Sequence, residues 1–110
     1  MNSQIFKNAI PNSILFNFLD KVCVKNNKYY TINKIVFKKA LYNNYFKDFI
    51  EECRPYYYLS KQTYLDEPIT YNKFITIIRQ ICKHKNITHT SHIKYDKSVY
   101  EIIYYIYYNM

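Results

Sequence analysis

The chain contains no glycine. Every backbone position with positive φ must therefore be filled by a residue carrying a Cβ, which costs energy for all side chains and least for asparagine and aspartate. Paired asparagines at Asn26-Asn27 and Asn43-Asn44 become candidates for left-handed turns, and the first pair, framed by Lys25 and Lys28, is a credible turn. The same absence bears on chemistry. Phosphate-cradling loops, dinucleotide-binding turns and nucleophile elbows use glycine where a ligand approaches the backbone or the chain bends sharply. Nucleotide-dependent enzymology is thereby disfavoured.

A length of 110 residues suits one domain, 1–110, around one core, with residues 1–10 loose. Pro11 and Asn12 open a helix in which Ile14, Leu15, Phe18, Leu19 and Val22 recur at helical spacing. The aromatic and β-branched run Tyr29–Ile32 reads as a strand, and Asn33 as the cap of a helix over 35–53 carrying Phe37, Leu41, Tyr45, Phe49, Ile50 and Cys53. Pro55 starts a further helix over 55–65, since proline is tolerated only in a first turn. After the break Asp66-Glu67-Pro68, Thr70 caps a helix over 70–84 with Tyr71, Phe74, Ile75, Ile78, Ile81 and Cys82 on one face. Ile93 and Tyr95 fit a strand that pairs with Tyr29–Ile32. Val99, Ile102, Ile103 and Ile106 trace a last helix, although Tyr100, Ile102, Tyr104 and Ile106 alternate as a strand would. The expected fold is mainly α, with four to five helices and a minor two-stranded β-sheet. The helices at 55–65 and 70–84 stand in helix-turn-helix order.

Sixteen lysines and arginines against eight acids give a net charge of +8. One basic zone runs from Lys21 to Lys47 without an acid; the other holds Lys73, Arg79, Lys83, Lys85, Lys94 and Lys97. If the two zones meet in space they form a phosphate-facing surface, the footprint of a nucleic-acid binder. AT-rich codons would enrich lysine without that purpose. On the polar side of the helix over 70–84, Arg79 suits guanine and Asn72 and Gln80 suit adenine, beside Lys73 and Lys83. Lys38, Lys39, Lys85, Lys94 and Lys97 are the expected phosphate contacts. The competing interpretation is an ordinary solvated face above a buried stripe.

Cys23, Cys53 and Cys82 are widely spaced and odd in number, which suits free thiols in a reducing compartment. Cys82, His84, His89 and His92 offer zinc-ligand chemistry, but their spacing matches no common finger and Cys82 falls on the apolar face of its helix. Asp48, Glu51 and Glu52 read as a solvated helix face, and a Cys53 or Cys82 nucleophile lacks any recognisable oxyanion site. No catalysis and no cofactor are expected. No stretch approaches the ~20 apolar residues that span a bilayer, so no membrane partner is expected.

Tyrosine is the remaining signal, at Tyr56-Tyr57-Tyr58 and at Tyr100, Tyr104, Tyr105, Tyr107 and Tyr108. Such rings can stack on splayed bases. The C-terminal group reads first as core or as an interface, either in a homodimer or with a viral or host protein. The phrases YYYLSKQTYL (56–65), TYNKFITIIRQICK (70–83) and IKYDKSVYEIIYYIY (93–107) resemble a small uncharacterised protein of large cytoplasmic DNA viruses, the mimivirus and marseillevirus relatives. The resemblance covers somewhat over half the chain. It implies a viral protein of the host cytoplasm, viral factory or virion, and carries no site residues. The sequence thus leads to a non-catalytic nucleic-acid-binding protein, with DNA ahead of RNA.

Overall fold

Residues with positive φ punctuate the chain where glycine would ordinarily stand. A computed structural model describes residues 10–56 and 69–109, and among these φ is positive at Asn44 (60°), Asn86 (58°) and Lys97 (61°). Each marks the end of an element.

Helix α1, Asn12–Val22, starts behind Pro11 and buries Leu15, Phe18, Leu19 and Val22. It leads into strands β1, Val24–Lys25, and β2, Tyr29–Ile32. The turn between them forms at Asn26-Asn27, but through a side chain: Asn26 Oδ1 accepts from the N–H groups of Lys28 and Tyr29 at 2.7 and 2.8 Å. Asn33 Oδ1 accepts from the Val36 N–H at 2.9 Å and starts α2, Lys34–Tyr42.

The single helix expected over 35–53 is broken. Asn44 is left-handed, its N–H reaches the Leu41 carbonyl, and its own carbonyl accepts from Asp48 at the start of α3, Tyr45–Cys53. The stripe changes with the break: α2 buries Val36 and Ala40 and leaves Leu41 of the expected face exposed, whereas α3 buries Phe46, Phe49, Ile50 and Cys53. Helix α4, Tyr71–His84, is capped by Thr70, whose Oγ1 accepts from the Lys73 N–H at 3.1 Å. At its other end Ile87 N–H bonds to Cys82 O and Asn86 N–H to Lys83 O, a Schellman closure with asparagine in the usual glycine position.

The expected C-terminal helix is instead a strand. β3, His89–Asp96, and β4, Val99–Tyr107, form a hairpin, and the sheet order is β1-β2-β4-β3 with all neighbours antiparallel. Tyr29–Ile32 therefore pairs with Tyr104–Tyr107 and not with the segment around Ile93 and Tyr95, because β4 lies between them. β4 is built almost wholly of β-branched and aromatic residues, which fit a pleated surface paired on both sides better than a helix. The architecture is α+β, with four described helices and a four-stranded antiparallel sheet, in place of the mainly helical fold with a minor two-stranded sheet. Most of the expected helix at 55–65, and the break at 66–68, lie outside the described residues, as do residues 1–9.

The four helices lie against one face of the sheet. The core joins Leu15, Phe18 and Leu19, Val36 and Ala40, Phe46, Phe49 and Ile50, and the apolar side of α4 to Tyr30, Ile32 and Ile106. At its centre Phe18 stacks on Phe49 with centroids 4.4 Å apart, and Phe74 meets Phe46 edge-on at 5.0 Å.

Candidate nucleic-acid interface

Helix α4 separates apolar from basic residues sharply. Phe74, Ile75, Ile77, Ile78, Ile81 and Cys82 are buried, and this stripe fixes which residues face water. Asn72, Thr76, Arg79, Gln80 and Lys83 are exposed and Lys73 and Lys85 half-buried. The helix itself contains no acid, although Glu101 of β4 lies beside its first residues, Tyr71 and Asn72. Arg79 leans over the Tyr104 ring, 5.8 Å from its centroid, which anchors the guanidinium while leaving it exposed. Burial, followed by the charges of Arg79 and Lys83, holds His89 below the ordinary histidine pKa. These three groups thus share one neighbourhood, where α4 crosses the start of β3.

The remaining expected phosphate contacts are dispersed. Lys39 acts electrostatically on Cys23, at the β1 edge of the sheet, whereas Arg79 and Lys83 act on His89, at the β3 edge. Lys38 and Lys39 are exposed on α2 and so belong with the β1 side. Lys94 lies on β3 opposite Glu101, and Lys97 occupies the β3–β4 turn.

The C-terminal tyrosines do not form one surface, because successive residues of a strand point to opposite faces. Tyr104 and Tyr108 pack against the core. Tyr105 and Tyr107 occupy the other face, with Tyr29 opposite Tyr107 in register and its ring touching both: it lies 4.8 Å from the Tyr105 ring and 5.1 Å from that of Tyr107, edge-on to each. His92 stacks on Tyr105 at 5.6 Å and 11°, and its Nδ1 lies 3.0 Å from the Tyr105 hydroxyl. Tyr100 is exposed near the hairpin tip beside Tyr95, with ring centroids 6.1 Å apart. Tyr29 was not singled out by sequence, since its place on this face depends on pairing with β4.

The thiol and imidazole groups diverge. Cys82 is buried under α4, His84 is exposed, His89 half-buries against α4 and His92 stands on the far face of the sheet. Among the described residues no three His, Cys, Asp or Glu side chains are placed to hold one metal ion. Burial pushes the thiols of Cys23, Cys53 and Cys82 up to about 12, so none is a ready nucleophile. A groove of about 320 Å³ between α1 and α3 is lined by Asp20, Asp48 and Glu52 beside Lys21, the wrong balance of charge for phosphate. No described helix is long and apolar enough to cross a membrane. No protein-family model matches the chain, and no curated protein or solved structure matches it significantly.

Proposed function

We propose that the protein binds nucleic acid without catalysing a reaction on it, and that the solvent side of α4 supplies phosphate contacts. The observation that carries this reading is the acid-free helix face, with exposed Arg79 and Lys83 beside Lys73 and Lys85, held rigid over a buried isoleucine stripe. Cations on a rigid element neutralise phosphates and release counterions, which supplies affinity independent of sequence. Asn72, Gln80 and Arg79 carry the side-chain geometry for base edges on the same surface. The resemblance to chains of large DNA viruses would set this activity in the host cytoplasm, the viral factory or the virion.

A second reading, contact with a protein or with another copy, draws on the β3–β4 arm. Within β4 only Tyr104–Tyr107 pairs with β2, so beyond those residues the arm is a two-stranded ribbon exposing Ile93, Tyr95, Val99 and Tyr100.

Fluorescence anisotropy with labelled duplex DNA, single-stranded DNA and RNA at several salt concentrations tests the first reading. Micromolar or tighter binding is expected, weakening steeply with salt, and Arg79→Ala with Lys83→Ala should flatten the salt slope by roughly 1.5 to 2. Absence of binding at low salt, with self-association or protein capture instead, would favour the second reading.

A further inference from the structure

Antiparallel partners directly opposite one another project to the same side of a sheet. The register therefore assigns Val24, Tyr29, Thr31, Thr90, His92, Lys94, Asp96, Val99, Glu101, Ile103, Tyr105 and Tyr107 to the face away from the helices. None of the tyrosines on it, nor Thr31, belongs to the helix-side core cluster or packs against it. Ile103, on the same face, is buried. The result is a shallow aromatic shelf in which the Tyr29 ring touches those of Tyr105 and Tyr107 and His92 extends Tyr105 across to β3.

We infer that this shelf binds the bases of a single-stranded nucleic acid by stacking on Tyr29, Tyr105 and Tyr107. The inference rests on the nucleic-acid reading above and names the substrate class. Three features favour this occupant. The rings are half-exposed and held by one another and by the strand pairing, so little side-chain entropy is lost on stacking. Lysines outnumber acids around the face: exposed Lys28, Lys94 and Lys97 stand against Asp96, beside the hairpin turn, and Glu101, opposite Lys94. Glu101 accepts from the Lys34 backbone N–H at 2.7 Å, closing the start of α2. A protein partner would gain from the apolar area but not from lysines at both ends. A duplex keeps its bases stacked inside and offers nothing to the rings, whereas a single strand offers π-faces and phosphates together.

The test compares binding of a labelled oligo-dT, an oligo-rU and a duplex by wild-type protein and by Tyr29→Leu, Tyr105→Leu and Tyr107→Leu, with Tyr105→Phe and Tyr107→Phe as stacking-competent controls. Each leucine variant should weaken single-strand binding roughly five- to one-hundred-fold and leave duplex binding unchanged, while the phenylalanine variants retain it. Circular dichroism identifies a variant that has merely unfolded, and photocrosslinking of 5-iodouracil oligonucleotides to the intact wild type reads the same point without mutation. Crosslinks are expected within β2 and β4.

If wild type binds none of the probes, the nucleic-acid reading fails and the shelf assignment with it. If wild type binds with strong salt dependence but the leucine variants match it, or the crosslinks fall only on α4, the shelf assignment alone is overturned. Sedimentation showing a dimer dispersed by the same leucine substitutions would give the face to a second copy and overturn the assignment as well.

Discussion

Replacing Lys97 by glycine should stabilise the protein. Asp96 pairs with Val99, so the loop of the β3–β4 hairpin is Lys97 and Ser98 alone, and Lys97 carries the positive φ of 61° at the position that hairpins of this length reserve for glycine. A left-handed residue with a Cβ costs roughly 1–2 kcal/mol. Glycine removes that strain but returns roughly 0.5–1 kcal/mol through its freer unfolded chain, leaving a net gain of about 0.5–1 kcal/mol. For a chain of 110 residues the unfolding entropy is about 230 cal/mol/K, so the gain corresponds to a rise in Tm of roughly 2–4 °C. Lys97→Ala, which removes the same charge and keeps the Cβ, serves as the control and should give none of this gain. Asn86→Gly should give less, because asparagine tolerates the left-handed region. Thermal and urea unfolding measure both; equal effects of glycine and alanine at position 97, or no effect of glycine, would refute the strain argument.

Three further outcomes are expected. Tyr71 donates its hydroxyl to the Ile102 carbonyl at 2.6 Å, just beyond the β4 residues that β2 pairs with; Tyr71→Phe should cost about 1 kcal/mol in urea unfolding, and an unchanged midpoint would show the bond replaced by water. Asp20 titrates below the ordinary carboxylate value because it accepts from the Tyr30 hydroxyl at 2.7 Å, with Lys25 adding to the effect. Its contribution is therefore full above the unfolded pKa and lost as pH falls through the lower folded value, so Tyr30→Phe should flatten stability between about pH 5 and 3; an acid limb identical to wild type would contradict it. With thiols raised to about 12 by burial, Cys23, Cys53 and Cys82 should react with Ellman's reagent at pH 7.5 only on unfolding, and one fast native thiol would sink that expectation.

How much of this fold could be read from sequence divides at β4. The helices announced themselves through burial stripes and caps: Pro11, Asn33 and Thr70 all stand where the helices begin. The segment Val99–Tyr107 is apolar or aromatic at eight of its nine positions, so a period of 3.6 and a period of 2 fit it equally well. What should have decided is residue type, because isoleucine, valine and tyrosine favour the pleated surface and the usual surface helix formers are missing there. β3 gave little help, since all of it beyond His89 is exposed and its polar residues carry no core signal. The break at Asn44 was hidden for a related reason. The absence of glycine pointed to paired asparagines as turn sites, yet both pairs look alike in sequence, and only the contacts made by Asn26 Oδ1 distinguish an Asx turn from a left-handed one.

The candidate site divides along the same line. The polar side of α4 was legible because one helix determines it: once Phe74, Ile78 and Ile81 turn inward, Arg79, Gln80 and Lys83 turn outward. The aromatic shelf needed three strands in register, and no local pattern supplies that. Of the five C-terminal tyrosines that look like one patch in sequence, Tyr100 stands exposed near the hairpin tip and the other four are sorted by the pleat into two groups with different surroundings. Tyr104 and Tyr108 face the helices, where Tyr104 supports Arg79 and Lys25 sits over the Tyr108 ring. Tyr105 and Tyr107 face outward with Tyr29. β4 thereby links the two candidate surfaces, backing the guanidinium of α4 with one side and carrying the stacking rings on the other. A substitution that shifted β4 by one residue would exchange these groups and disable both surfaces together. Independent loss of duplex and single-strand binding, from α4 and shelf variants respectively, is therefore the behaviour expected of an intact register.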